Sequence, residues 1–304
     1  MIEFLEAAIR IATPLMLAAL GGILSERAGV FAVGLEGMML MGAFGGAVGA
    51  WATGSALAGL ALAIVCGAAI GLVVAIVAVG YRADHMVTGL TANILAAGLT
   101  AYLMRVLADG GRPIAIHLTP LPPWPIPGLA QIPVVGPLLF VHPPLTYLAI
   151  VGCFALAFFL GRTQAGLTLR ATGESPETVL ASGAEPLRVR MLAVTACGGI
   201  AGIGGAVLSL QQVGTFTDGM TSGRGYLALA SLIVARWNPF AAAIACLAFG
   251  AAEAFELRME EFGLPVSSYI VQMAPYLIAL AVLAVLGRAS RMPAAIGQPL
   301  PWDQ

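Results

Sequence analysis

Long apolar runs dominate this sequence. Stretches near 4–24, 29–51, 56–80, 87–107, 143–161, 189–213, 220–236, 239–257 and 267–287 each approach the roughly 20 residues a helix needs to cross a bilayer core. In lipid a spanning segment must satisfy its own backbone, so only helices and closed barrels are available. The alternating strands of a barrel are absent. A mean hydropathy of +0.95 leaves too little polar surface for a soluble domain. The expectation is an all-α polytopic membrane protein, one domain over 1–304, with about nine transmembrane helices. The stretch 220–236 is short and contains Gly223, Arg224 and Gly225 near its start, so it either crosses or folds back. No internal repeat survives a strict comparison. Glu3 and Glu6 leave the N-terminus without a basic flank, which reads as a retained helix rather than a cleaved leader.

The few charges exclude several chemistries. All fourteen cations are Arg; the chain has no lysine. A Walker A loop needs its Lys to reach the phosphates, so a P-loop ATPase is excluded. A Schiff-base mechanism is excluded for the same reason. An intramembrane enzyme would need a nucleophile–base pair or a metal cluster at membrane depth, and the three histidines lie near span ends. Cys66, Cys153, Cys197 and Cys246 sit inside apolar segments with no CxxC pair, as small buried hydrophobes do. No catalytic residue, metal ligand or cofactor is assigned to this chain, and no nucleic-acid partner is expected.

Positive charge orients the chain. With 162–188 in the cytoplasm, Arg27, Arg82, Arg162, Arg170, Arg188, Arg190, Arg236, Arg288 and Arg291 fall inside, and Arg105, Arg112, Arg224 and Arg258 outside. The positive-inside rule favours this arrangement, with the N-terminus outside and the C-terminus cytoplasmic. The segment 108–142 then faces the periplasm. It holds eight of the nineteen prolines, which makes it extended and stiff, suited to a lid or docking surface. The pairs Gly42/Gly46, Gly45/Gly49, Gly67/Gly71 and Gly198/Gly202 have the GxxxG spacing that lets helix backbones approach closely.

One polar stretch stands out: GESPETVLASG, residues 173–183. Ser175 suits an N-cap, Pro176 suits N1, and Glu177 complements the positive helix end. Gly183 suits the C′ position. The spacing predicts a helix over 176–182, about 10 Å long and too short to span. It is either a solvated loop helix or a rigid knob that docks into a cytoplasmic partner.

The stretch LRATGESPETVLASGAEPLRVRMLAVTACGGIAGIGGAVLSL, residues 169–210, resembles the coupling loop and following helix of ABC importer permeases. The family serves branched-chain amino acids, simple sugars and nucleosides. SERAGVFAVGLEGMMLMGAFGG (25–46) and GRGYLALASLIVARWNPFAAAIACLAFGAAEAF (223–255) are most similar to its nucleoside branch, and HMVTGLTANILAAGLTAYL (85–103) agrees. Two positions depart from that branch: Ala32 stands where Asn is usual, and Glu253 where Asp is frequent.

The resemblance implies a type II ABC importer permease fold in the bacterial inner membrane. It implies three partners: a second homologous permease, a cytoplasmic ATP-binding subunit holding ATP and Mg, and a periplasmic or lipid-anchored substrate-binding protein. Nucleosides would move inward by alternating access, with ribose-type sugars or an ion-coupled secondary transporter as alternatives. Gly173, Glu174, Ser175, Pro176, Glu177 and Gly183 would form the contact to the ATPase.

For the substrate pathway the candidates are Glu36, Thr88, Asn93, Ser209, Gln211, Gln212 and Phe216. Glu36 lies nine residues beyond Arg27, about 13 Å along a continuous helix and so near mid-membrane. An intramembrane carboxylate is a pathway group or an interhelical bond. Asn93 both donates and accepts, so it suits a base or ribose edge or a bond to another helix. A planar base would stack on Phe216 and bond to the glutamines; the alternative puts Phe216 and Arg224 on an exposed loop. Glu253 and Glu256 read as interfacial.

Overall fold

The computed structural model describes residues 2–107, 119–125, 127–128, 141–261 and 292–299, with isolated positions 136, 140, 273 and 277. The helices are α1 (Ile2–Arg27), α2 (Leu35–Thr53), α3 (Ala56–Val74, continued by a π-helical turn Ala75–Gly80) and α4 (His85–Leu107). After them come α5 (Pro144–Arg162), α6 (Gln164–Glu174), α7 (Pro176–Ala181) and α8 (Pro186–Ala206, continued as π-helix Val207–Val213). Last are α9 (Arg224–Val234) and α10 (Pro239–Glu261). Six described helices are long and apolar enough to cross a membrane: Glu3–Arg27, Ala56–Gly80, His85–Leu107, Pro144–Arg162, Pro186–Val213 and Pro239–Glu256. The expected span 267–287 lies outside the described residues, as does most of 108–142.

α8 is the central post, packed on α1, α2 and α3. Glycine makes that packing close. A Cβ on Gly42 would collide with Gly202, and one on Gly67 with the Gly198 carbonyl. The four GxxxG pairs are therefore helix-crossing surfaces, as their spacing predicts. α3 runs antiparallel to α8, since Gly67 faces Gly198 and Gly202 while Gly71 faces Val194 and Gly198. α1 is antiparallel to α8 as well, with Gly21 against Cys197 and Gly204 against Pro14.

Two expected spans are not continuous helices. In place of a helix over 29–51, the chain breaks after Arg27 and α2 begins only at Leu35. In place of a helix over 220–236, residues 214–223 are irregular and α9 has 11 residues, about 16 Å of helix. The expected 220–236 span is therefore a half-helix preceded by non-helical chain. The two breaks share the pattern G-x-F-x-x-G, at Gly29–Gly34 and Gly214–Gly219, and both opening glycines are left-handed, with φ of 95° and 71°. A helix–break–helix unit thus occurs twice, in opposite senses because α1 and α8 are antiparallel, and its second helix is long in α2 (19 residues) and short in α9 (11 residues). The sequence comparison misses it because the similarity is confined to these six residues.

Irregular backbone inside an apolar bundle must find polar partners. In the first break Ser25 Oγ donates to Val30 O at 2.9 Å, Glu26 Oε1 accepts from Ala32 N at 3.3 Å, and Asn93 Nδ2 donates to Val33 O at 3.0 Å. Glu26 is fully buried, and its second oxygen accepts from Trp237 Nε1 at 2.6 Å. Ala32, the position where the resemblance expects Asn, is buried in this break.

A C-terminal segment closes the same end of the bundle. Ala295 N donates to Gly173 O at 2.8 Å and Gly297 N to Gly29 O at 3.1 Å. Arg190, almost wholly buried, donates from Nε, Nη1 and Nη2 to the carbonyls of Ala28, Gln298 and Ala295 at 3.1, 2.7 and 3.0 Å. At the opposite end Leu121 N donates to Leu210 O, and Trp124–Pro125 pairs antiparallel with Val141–His142.

Candidate functional site

Helix α2 and the half-helix α9 begin beside each other and run apart. α2 is antiparallel to α3, since Gly45 and Gly49 meet Leu62, Cys66 and Gly59. It therefore heads away from the end that carries α7. α9 heads toward that end, where Trp237 meets Arg27. Each presents amides without intrahelical partners at its N-terminus, which also bears the positive end of the helix dipole. Neither has a side-chain cap of its own: the N-cap residues are Gly34 and Gly223.

The caps come from other helices. Glu36, in the first turn of α2, reaches to α9: Oε1 accepts from Gly223 N at 2.9 Å and Oε2 from Gly225 N at 2.7 Å. Gly225 is obligatory, because a Cβ there would strike the Glu36 backbone. Asn93 of α4 caps α2, its Oδ1 accepting from Gly37 N at 2.8 Å. Its Nδ2 donates to Val33 O and to Tyr226 Oη, each at 3.0 Å. Since Tyr226 belongs to α9, the bonds close a ring through α2, α9 and α4.

Of the seven pathway candidates, Glu36 and Asn93 meet in this ring. Glu36 does not continue the helix that carries Arg27, so the 13 Å depth argument rests on a wrong geometry. Its depth follows instead from Gly42, which crosses α8 near the middle of Pro186–Val213; Glu36 lies about 9 Å from that crossing.

The other five go elsewhere. Thr88 Oγ1 donates to the carbonyl of Asp84, the residue just before α4, at 2.7 Å. Ser209 is buried against Gly46, with no hydrogen-bond partner among the described residues. Gln211 Nε2 donates to Thr146 Oγ1 at 3.0 Å, beside a cavity of about 350 Å³ that Glu3, Glu6, Arg10 and His142 also line. Gln212 Nε2 donates to Arg10 O at 2.7 Å. Phe216 is not on an exposed loop: it is 5% exposed and packs edge-on against Phe44, with ring centroids 5.5 Å apart. Arg224 is half-buried and pairs with Glu253, itself half-buried.

Two polar groups that hold the breaks together escape sequence reasoning. Tyr226 carries no signal beyond its place after Gly225. Glu26 sits beside Arg27 at a helix end, where a solvated charge is the ordinary reading.

The polar helix forms as α7, Pro176–Ala181, with Gly183 left-handed at φ 85°. Ser175 holds the N-cap position, but its hydroxyl bonds to Thr178 Oγ1 at 2.8 Å rather than to a backbone amide. Gly173 and Pro176 are buried; a Cβ on Gly173 would strike Arg27 O. Glu174, Glu177, Leu180 and Gly183 are exposed. Five of the six proposed contact residues thus divide between anchoring α7 and presenting it, with Ser175 half-buried at the junction.

The sequence pattern of one family, described as the permease component of the branched-chain amino acid transport system, matches residues 4–288. The chain belongs to this family of ABC transporter permeases. Three relatives cover most of it. The nucleoside ABC transporter permease protein NupC of Lactococcus lactis is 34% identical over 91% of this chain and 90% of its own. The guanosine ABC transporter permease protein NupQ of Bacillus subtilis is 35% identical over 95% and 93%. TsgC13 of Haloferax volcanii, assigned by name as a glucose ABC transporter permease, is 35% identical over 86% and 78%. No solved structure matches the chain. Six long apolar helices among the described residues agree with a multi-pass membrane permease.

Proposed function

We propose that this chain is the membrane-spanning permease subunit of an ATP-driven importer for nucleosides. The observation that carries the mechanism is the meeting of two helix N-termini, each beginning at a break inside the bundle, at Glu36 and Asn93. Discontinuous helices of this kind form the central sites of many transporters and move as units in alternating access. Their caps are side chains from neighbouring helices, so rearranging a few hydrogen bonds frees one helix from another. In this reading the α7 end faces the cytoplasm, where Arg27, Arg170 and Arg190 gather as the positive-inside rule favours. α7 presents Leu180 and Glu177 to a cytoplasmic ATP-binding subunit. A second permease completes the pore, and a binding protein delivers substrate at the opposite face. The chemistry of ATP hydrolysis is assigned to the partner, and no covalent step to this chain.

Nucleosides are favoured over sugars because the two relatives bearing nucleoside names extend over more of the chain than the one named for glucose. The ion-coupled alternative makes Glu36 a cation site, whereas its two oxygens here cap the start of α9.

The test is affinity purification of the chain from native membranes in mild detergent. A P-loop ATPase and a second permease should co-purify in stoichiometric amount, and Leu180→Asp should remove the ATPase alone. Recovery of the chain by itself under several mild detergents would sink the reading.

A further inference from the structure

Two guanidinium groups share a small cavity at the α7 end. It has a volume of about 190 Å³ and lies between the ends of α1, α5 and α6 and the turn that enters α10. Arg27 and Arg170 supply its charge; Leu160, Trp237, Asn238 and Phe240 are among its walls. The Nε atoms of both arginines are buried without a hydrogen-bond partner among the described residues. Arg27 Nη2 has one long bond, 3.5 Å to Trp237 O. A buried donor left unpaired is costly, and two such donors of like charge in one cavity compound the cost.

The surroundings hold this arrangement in place. Trp237 is fixed by its bond to buried Glu26, and both Arg236 and Trp237 take left-handed φ values, 55° and 58°, to make the turn. Glu174, the nearby carboxylate of α6, accepts from Ala294 N. An anion entering the cavity would pair both guanidiniums at once. Arginine forks match phosphate oxygens in planar, two-point geometry.

The cavity also borders an apolar stripe. Phe154 and Phe240 pack edge-on with centroids 5.1 Å apart, yet remain 62% and 43% exposed, and Phe158 extends the stripe along α5. In a membrane protein such a surface faces acyl chains. Basic pockets between transmembrane helices are suited to anionic lipid headgroups.

We propose that the Arg27–Arg170 cavity binds a phosphate group, with the adjoining phenylalanines favouring one carried by an anionic phospholipid. Bound there, the phosphate ties α1 to α6 just before the first break and just before α7. This inference needs only the multi-pass fold and stands apart from the cargo.

The test is native mass spectrometry of the full purified chain, paired with thermal melting after delipidation. Phosphatidylglycerol, phosphatidylcholine and inorganic phosphate are added back separately. The wild-type chain should retain phosphatidylglycerol, and Arg170→Gln should weaken that retention at least about tenfold, the scale set by losing one charge-assisted fork. Arg170→Lys, which keeps the charge and the fold, should fall between them. Stabilisation by phosphatidylglycerol alone identifies the lipid as the source. Stabilisation by inorganic phosphate to the same extent, abolished by the same substitutions, keeps the site and makes its ligand a solution anion. Equal phosphatidylglycerol retention by wild type, Arg170→Lys and Arg27→Gln overturns the proposal. So does equal retention of phosphatidylcholine.

Discussion

Pro14 cannot donate an amide hydrogen, so the carbonyl of Arg10 loses its partner within α1. Gln212 replaces it from the end of α8, donating at 2.7 Å. This account turns a residue that sequence reasoning assigns to substrate into a structural repair, and it makes a testable cycle. Gln212→Ala should destabilise the native chain by about 0.6 kcal/mol and at most about 1.7, the range measured for interhelical bonds in membranes. In a Pro14→Ala background, where the helix supplies its own donor, Gln212→Ala should have no effect on the melting midpoint. Equal losses in both backgrounds would remove the repair role and return Gln212 to the pathway. Glu36 and Asn93 were legible as rare polar groups in apolar helices. The role of Gln212 was not, because it depends on a carbonyl far away in the chain.

Helices α2 and α9 depend on caps that their own N-cap residues do not supply. Glu36 offers one carboxylate oxygen to each of two α9 amides, so Glu36→Gln turns one acceptor into a donor facing a donor. We expect transport to fall at least about tenfold, with a loss of stability near the 1–3 kcal/mol of an unsatisfied buried polar group. Uptake and melting midpoint in one reconstituted preparation check both. Near-native uptake by Glu36→Gln would mean that the start of α9 needs no cap. At this scale α7 was the clearest element in the sequence, because its capping residues and terminal glycine are local signals. Of the two breaks, that at 28–34 was hidden, whereas the one before α9 was partly legible in the short, glycine-flanked stretch 220–236. The first is almost wholly apolar, Ala28 to Gly34, and hydropathy cannot separate a buried irregular segment from a helix. Its partners, Ser25, Glu26 and Asn93, become visible only when the helices are packed.

In the whole molecule the α7 end and the central ring are joined by continuous contacts. Gly173 touches the end of α1, the C-terminal segment bonds to both Gly173 and Gly29, and Gly29 opens the break leading to Glu36. Arg190 fastens that segment with three bonds to carbonyls. A displacement of α7 by a partner thus has a short route to α2, whose N-terminus meets α9. The proposed sidedness rests on arginine placement, to which Arg224 adds little because it is half-buried and paired with Glu253. The inverted pairing of α1–α2 with α8–α9 was not readable, since it rests on geometry shared by two short glycine-bounded breaks. The most direct test is uptake of labelled guanosine by vesicles containing this chain and its co-purifying subunits. We predict uptake that requires ATP, survives collapse of the ion gradients, and is displaced by unlabelled nucleosides but not by glucose. Uptake that persists without ATP and stops when the ion gradients are dissipated would contradict the account.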